Sequence, residues 1–172
     1  MTTDQSTEMT AEKLRGLLTR MGVEAEVVER DEADRIVLEI QGAEAGLVIG
    51  KHGATLDALQ YLLNRMVLRG GPAGAGGQLK RTVVVDAEGY RDRRNEALVE
   101  LAQRLAAKAR KTKRPVAASP MSPADRRVMH LALADMPGMK TQSEGEGAAR
   151  HLVIVPEPGF DFGEDAGSGE EA

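Results

Sequence analysis

The chain has 172 residues, room for one ordinary domain or two small ones. With no Cys, no Trp and 2% aromatic residues, it can hold no disulfide or thiolate metal site and cannot stack bases on a sheet of aromatic rings. Net charge is −4, yet residues 80–130 carry 13 basic and 6 acidic side chains between flanks at −4 and −7, and a polyanion feels the local field rather than the sum.

Residues 1–8 are polar, and the sequence predicts them to be disordered. Met1 to Thr10 carries no Lys or Arg, so it is not read as a signal peptide. No apolar run approaches the roughly 18 residues needed to cross a bilayer, and a chain without Cys fits the cytoplasm. Leu14, Leu17, Leu18 and Met21 follow helical spacing, so Met9 to Met21 reads as an amphipathic helix ended by Gly22. Val23 to Val28 and Ile36 to Ile40 alternate as two strands of a hairpin. Ala43 to Ile49 reads as a short helix. Ala54 to Leu68 reads as a longer one, with Leu56, Leu59, Leu62, Leu63 and Met66 on its core face. Residues 70–77 are expected to be a flexible loop and Thr82 to Val85 a third strand. Asp86 is placed to cap a helix from about Glu88 to Lys111, whose apolar face would be Leu98, Leu101 and Leu105. A strand at Lys113 to Ala118, a helix opened by Pro123, and a hairpin of Met139–Ser143 and His151–Val155 follow. The acidic stretch 157–172 is expected to be disordered. Two α/β (α+β) domains result, at 9–86 and 87–156, each with helices covering a small sheet.

The first motif is Gly50-Lys51-His52-Gly53 between two helical segments. Glycine lets a backbone approach a ligand closely. The N–H groups of Ala54 and Thr55 are expected to be open to a phosphate, with Lys51 adding charge and Ile49 an apolar surface for bases. The plain alternative is a tight joint between helices, and the four-residue pattern alone favours it. In context, the α-β-β-α-α-β order resembles a type II KH domain, whose GXXG loop clamps single-stranded nucleic acid. The run from Gly46 to Asn64 is similar to the KH segment of the bacterial Jag family, also called KhpB or EloR.

The second motif is Arg126-Arg127-Val128-Met129-His130, which puts Arg126 and His130 on one helix face. A surface pair is the plain reading of those two alone. Pro120 to His130, however, resembles the Arg-x-x-x-His domain, a single-stranded nucleic-acid module, and Ser143 to Gly145 with Arg150-His151 resembles its later turn and strand. Tyr90 to Arg94 is similar to the family's junction. The pairing of these two domains is distinctive of the Jag family, and the resemblance implies a cytoplasmic RNA-binding protein linked to envelope elongation, division or sporulation. It implies RNA contact at Gly50, Lys51, His52 and Gly53, with Ile49, Ala54 and Thr55 as the groove. Arg126 and His130 would form a second site, with Arg127 and Arg150 in support. Arg91, Arg93, Arg94, Arg104, Lys108 and Lys111 would add a basic surface that holds phosphate without reading sequence.

The chain departs from the family pattern in two places: no room for the N-terminal Jag-N domain is expected before the KH helix, and His52 stands where Arg is frequent. The partner expected is single-stranded RNA, with single-stranded DNA an alternative because nothing visible tests for a 2′-hydroxyl. A small single-KH protein is a second expected partner, and an adaptor role built on it is the alternative function. No cofactor, no metal and no enzyme activity are expected: His52, His130 and His151 are scattered, and neither a His-Glu-x-x-His motif nor a phosphate-binding Gly-Lys-Ser/Thr loop occurs.

Overall fold

The computed structural model describes residues 3–32, 34–69, 82–160 and 162. Contacts divide the chain into two compact units, Met1–Arg93 and Arg94–Ala172. The loop expected at 70–77 lies outside the described residues.

Helix α1 spans Thr3–Met21, so the expected disorder of residues 1–8 is corrected from Thr3 onward. Thr7, Thr10, Ala11, Leu14 and Leu18 are buried. Two threonines extend the apolar stripe toward the N-terminus, which a count of hydrophobic residues does not register. Gly22 ends the helix at φ 71°. Its N–H donates to Thr19 O at 3.1 Å and the Val23 N–H to Leu18 O at 3.0 Å, which closes a Schellman turn. Val23 is therefore spent on the cap, and β1 begins three residues later than expected, at Glu26–Asp31.

β1 pairs antiparallel with β2 (Arg35–Gln41), and β2 pairs parallel with β3 (Thr82–Ala87). The strand order is β1-β2-β3. The register sets Ile36 beside Val83, Leu38 beside Val85 and Ile40 beside Ala87. All six are buried and share a core with Leu14 and Leu18 of α1 and Leu56, Leu59, Leu63 and Val67 of α2 (Ala54–Arg69). Leu62 and Met66, expected on the core face of α2, are 48% and 38% exposed, and Val67 is buried instead. Between β2 and α2 the chain makes two short 3₁₀ turns, Ala45–Val48 and Lys51–Gly53, where a short α-helix was expected.

β3 lies at the edge of its sheet, and α2 closes that edge. The Asn64 amide donates to Val83 O at 2.9 Å and its Oδ1 accepts from Val83 N–H at 3.2 Å. Gln60 Oε1 accepts from the Val85 N–H at 3.1 Å. Side chains thus stand in for a fourth strand and block strand addition. Asn64→Ala strips both Val83 partners and is expected to lower stability by about 1–3 kcal/mol in urea unfolding of the full chain. A change inside experimental error would show that water replaces Asn64 without cost.

The second unit takes in most of α3 (Tyr90–Thr112) and a sheet ordered β4-β6-β5, antiparallel throughout. β4 is only Val116–Ala117, β5 is Met139–Glu144 and β6 is His151–Pro156. Helix α4 is Pro123–Leu133, with Pro123 in its first turn as expected and Ser122 as N-cap. The α3 face buried in the core is Leu98, Ala102, Ala106 and Ala109, with Leu101 and Leu105 flanking it. The expected disordered tail is corrected at its start. Glu157 N–H donates to Gly138 O at 2.8 Å, and the Phe160 and Phe162 rings pack at 4.9 Å. Arg110 Cζ lies 5.5 Å from the centre of the Phe162 ring, a cation–π contact. The aromatics that fix this segment are only two, too few to stand out against the acidic composition around them. Residues 163–172 lie outside the described residues.

Candidate nucleic-acid interface

In the first unit, Gly50 adopts φ 67°, ψ −170°, and His52 adopts φ 55°, ψ 30°. A left-handed conformation at a non-glycine residue costs roughly 1 kcal/mol and persists only where the surroundings impose it. The surroundings here are specific. A Cβ on Gly50 would stand 2.1 Å from Thr55 Oγ1, and one on Gly53 2.9 Å from Tyr90 Cε1. Both glycines are therefore required by close approach as well as by φ. Tyr90 is half-buried against the core and backs the loop from the start of α3, a role that its place in the junction segment did not reveal.

The expectation of open donors at Ala54 and Thr55 is corrected. The Ala54 N–H donates to Lys51 O. The Thr55 and Leu56 N–H groups both donate to Ile49 O, at 3.2 and 3.4 Å. The double turn supplies acceptors that a simple helix start lacks. Among the described residues, the Lys51 and His52 amides have no acceptor, and both side chains are exposed. The donors available to an anion thus sit one turn earlier than expected. Ile49 is half-buried against the core, Ala54 is exposed and Thr55 is half-buried. Leu47, which the sequence reading passed over, is 66% exposed and is the larger open apolar surface beside the loop.

The basic residues at the junction are mostly engaged. Arg91 Nε donates to Val85 O at 2.9 Å and Nη2 to Gln60 Oε1 at 3.2 Å, and Arg91 also pairs with Asp57 at 3.0 Å. Arg93 donates to the Glu88 carbonyl, and Arg94 pairs with Asp125 at 2.8 Å. These three have donors already spent within their own units. Arg104, Lys108 and Lys111 are exposed along one face of α3, and Arg150 is exposed before β6.

In the second unit, Arg126, Arg127 and His130 line a cavity of about 450 Å³ with Pro123 from α4, Thr141, Gln142 and Ser143 from β5, and Leu152 from β6. Arg126 Nη1 donates to Met121 O at 2.8 Å, which fixes one arm of the guanidinium and leaves the rest free to bind. His130 Nδ1 lies 2.5 Å from Thr141 Oγ1. Two anchored cationic or polar donors over the apolar Leu152 suit a phosphate and its attached nucleoside. Thr141 and Gln142 were missed because neither is charged. The available signal was strand alternation, which puts Thr141 on the β5 face that carries buried Met139. Among the described residues no group of three His, Asp or Glu could hold a metal ion, and no helix is long and apolar enough to cross a membrane.

Two family models match the chain: KhpA/KhpB, KH domain, over residues 9–72, and the R₃H (Arg-x-x-x-His) domain over residues 96–156. This pair of domains matches the KhpB/Jag family. The chain is 37% identical to RNA-binding protein KhpB of Clostridium symbiosum, over 78% of this chain and 58% of that protein. It is 39% identical to RNA-binding protein KhpB of Bacillus subtilis (strain 168), over 76% and 61%. A third relative, RNA-binding protein KhpB of Streptococcus pneumoniae serotype 2, is 30% identical over 82% and 41%. The chain thus spans about three fifths of the first two relatives' length. KH and Arg-x-x-x-His domains are nucleic-acid-binding, non-catalytic modules.

Proposed function

We propose that this protein binds single-stranded RNA in the cytoplasm through two sites, the Gly50–Gly53 loop and the Arg126/His130 cavity, as a post-transcriptional regulator of envelope growth, division or sporulation. The observation that carries this reading is the cavity. It gathers Arg126, Arg127 and His130 with polar β5 side chains over an apolar floor, downstream of an exposed loop with two open amides. The RNA assignment draws on the name that the relatives share. The exposed face of Arg104, Lys108 and Lys111 adds phosphate contacts without sequence preference.

Lys51→Asp combined with His52→Asp tests the loop. On a short mixed-sequence single-stranded RNA the double variant is expected to bind about tenfold more weakly, with a shallower dependence on salt. Unchanged affinity and slope would remove the loop from the interface. The same titration with DNA of equal sequence tells whether a 2′-hydroxyl matters.

One observation favours a second reading, pairing with another small KH protein. Tyr61, Leu62 and Met66 leave an exposed apolar strip on α2, at 64%, 48% and 38%. A stoichiometric protein partner retained after thorough nuclease treatment, with no RNA bound beforehand, would favour that reading.

A further inference from the structure

His130 is exposed on the last turn of α4, where an unpartnered imidazole would turn freely about two side-chain bonds. It does not stand unpartnered, because Thr141 Oγ1 lies 2.5 Å from its Nδ1. The hydroxyl is itself held. Thr141 lies opposite Ile154 in the β5–β6 ladder, and β6 is the central strand of its sheet. Which nitrogen of a neutral imidazole carries the proton is set by the hydrogen bond that the other makes. A threonine hydroxyl can donate or accept. If it donates to Nδ1, the proton sits on Nε2 and the ring offers an N–H on its other side. The reverse tautomer would offer a lone pair, which repels a phosphate oxygen. Arg126, in the same cavity, is anchored in parallel by the Met121 carbonyl. The cavity therefore holds two donors, each fixed from behind by an uncharged group of its own unit.

We propose that Thr141 is a positioning residue whose hydroxyl donates to His130 Nδ1 and so presents His130 Nε2–H to a phosphate oxygen of single-stranded nucleic acid. The inference rests on the reading of the cavity as a nucleic-acid site. Thr141 touches the ligand through His130 and supplies no charge of its own. Serine at this position keeps the hydroxyl that orients His130, and valine, of nearly the same shape, removes it.

The test uses the full chain with nitrogen-labelled histidine at mildly alkaline pH, where long-range proton–nitrogen correlation reads the His130 tautomer, and as probe a mixed-sequence single-stranded RNA long enough to occupy both sites. The wild type is expected to show the Nε2–H form. Thr141→Ser keeps that form and the wild-type affinity. Thr141→Val loses the preference and binds about tenfold more weakly, and adding it to His130→Ala costs nothing more. An Nδ1–H form in the wild type overturns the proposal without needing any variant to fold. So does a folded Thr141→Val that binds RNA as the wild type does. Binding indifferent to Arg126→Ala would overturn the nucleic-acid reading of the cavity, and the proposal with it, while the Nε2–H signal persists. The two failures are thereby told apart.

Discussion

Arg94→Ala is expected to lower the stability of the second unit by about 3 kcal/mol, the low end of the range for breaking a buried ion pair from one side. Arg94 and Asp125 meet at 2.8 Å with side chains only 24% and 9% exposed. Among the described residues Arg94 Nε is buried with no partner, so the guanidinium already bears part of its desolvation cost uncompensated. Asp125 lies in the first turn of α4, where the helix dipole favours an anion. Its N–H donates to Ser122 Oγ at 3.1 Å, one half of a capping box. Among the described residues the other half is not made, and the carboxylate pairs with Arg94. Removing Arg94 leaves that carboxylate buried beside the cap, one residue before Arg126. Hydrogen exchange of the α4 amides is the proper measurement, since Tyr61 and Tyr90 both lie in the first unit and report nothing here. Arg94→Met with Asp125→Leu should recover most of the loss, because a packed apolar pair replaces a buried charge. A loss under about 1 kcal/mol for Arg94→Ala would show that the pair behaves as a surface bridge.

The same residue shows where sequence reading reaches its limit. Arg91, Arg93 and Arg94 look in sequence like part of the positive stretch, because charge counting is blind to partners 31 residues away such as Asp125 for Arg94. Periodicity recovered the helices α1 and α2 and the two strand pairs, and Pro123 marked the start of α4. Periodicity misplaced Leu62 and Met66, because nothing in a helical stripe reports where its edge meets solvent. At the loop, the glycines were legible but their reason was not. Gly53 answers to Tyr90, 37 residues on, and the open amides belong to Lys51 and His52 through a double turn that propensity does not announce. In the cavity, the spacing of Arg126 and His130 made legible only that they share one face of α4; a site there came from the family resemblance. The uncharged half on β5 was not legible, because its members are ordinary strand residues until the fold sets them opposite α4.

RNA long enough to occupy both sites is expected to bind about a hundredfold more tightly than RNA that fills one, the lower end of what linked sites give. Each site alone offers little. The loop has one Lys side chain, two open amides and a small apolar surface at Leu47 and Ile49. The cavity has two Arg side chains and one imidazole. Joined on one chain, the second contact is made at the effective concentration set by the first, so loss of either site forfeits the whole linkage gain. Lys51→Asp with His52→Asp, or Arg126→Glu by itself, should therefore weaken a long RNA by about a hundredfold. The combined variant should fall only by the remaining single-site contribution, so the effects are not additive. On a short RNA, each change should act only through its own site. The salt slope should track the same division, steeper for the long RNA because more phosphates are neutralised. Equal affinity of the wild type for both lengths would mean that the sites act separately, on different molecules or one at a time. Equal fold-losses on both lengths would mean that the second site does not engage the strand held by the first.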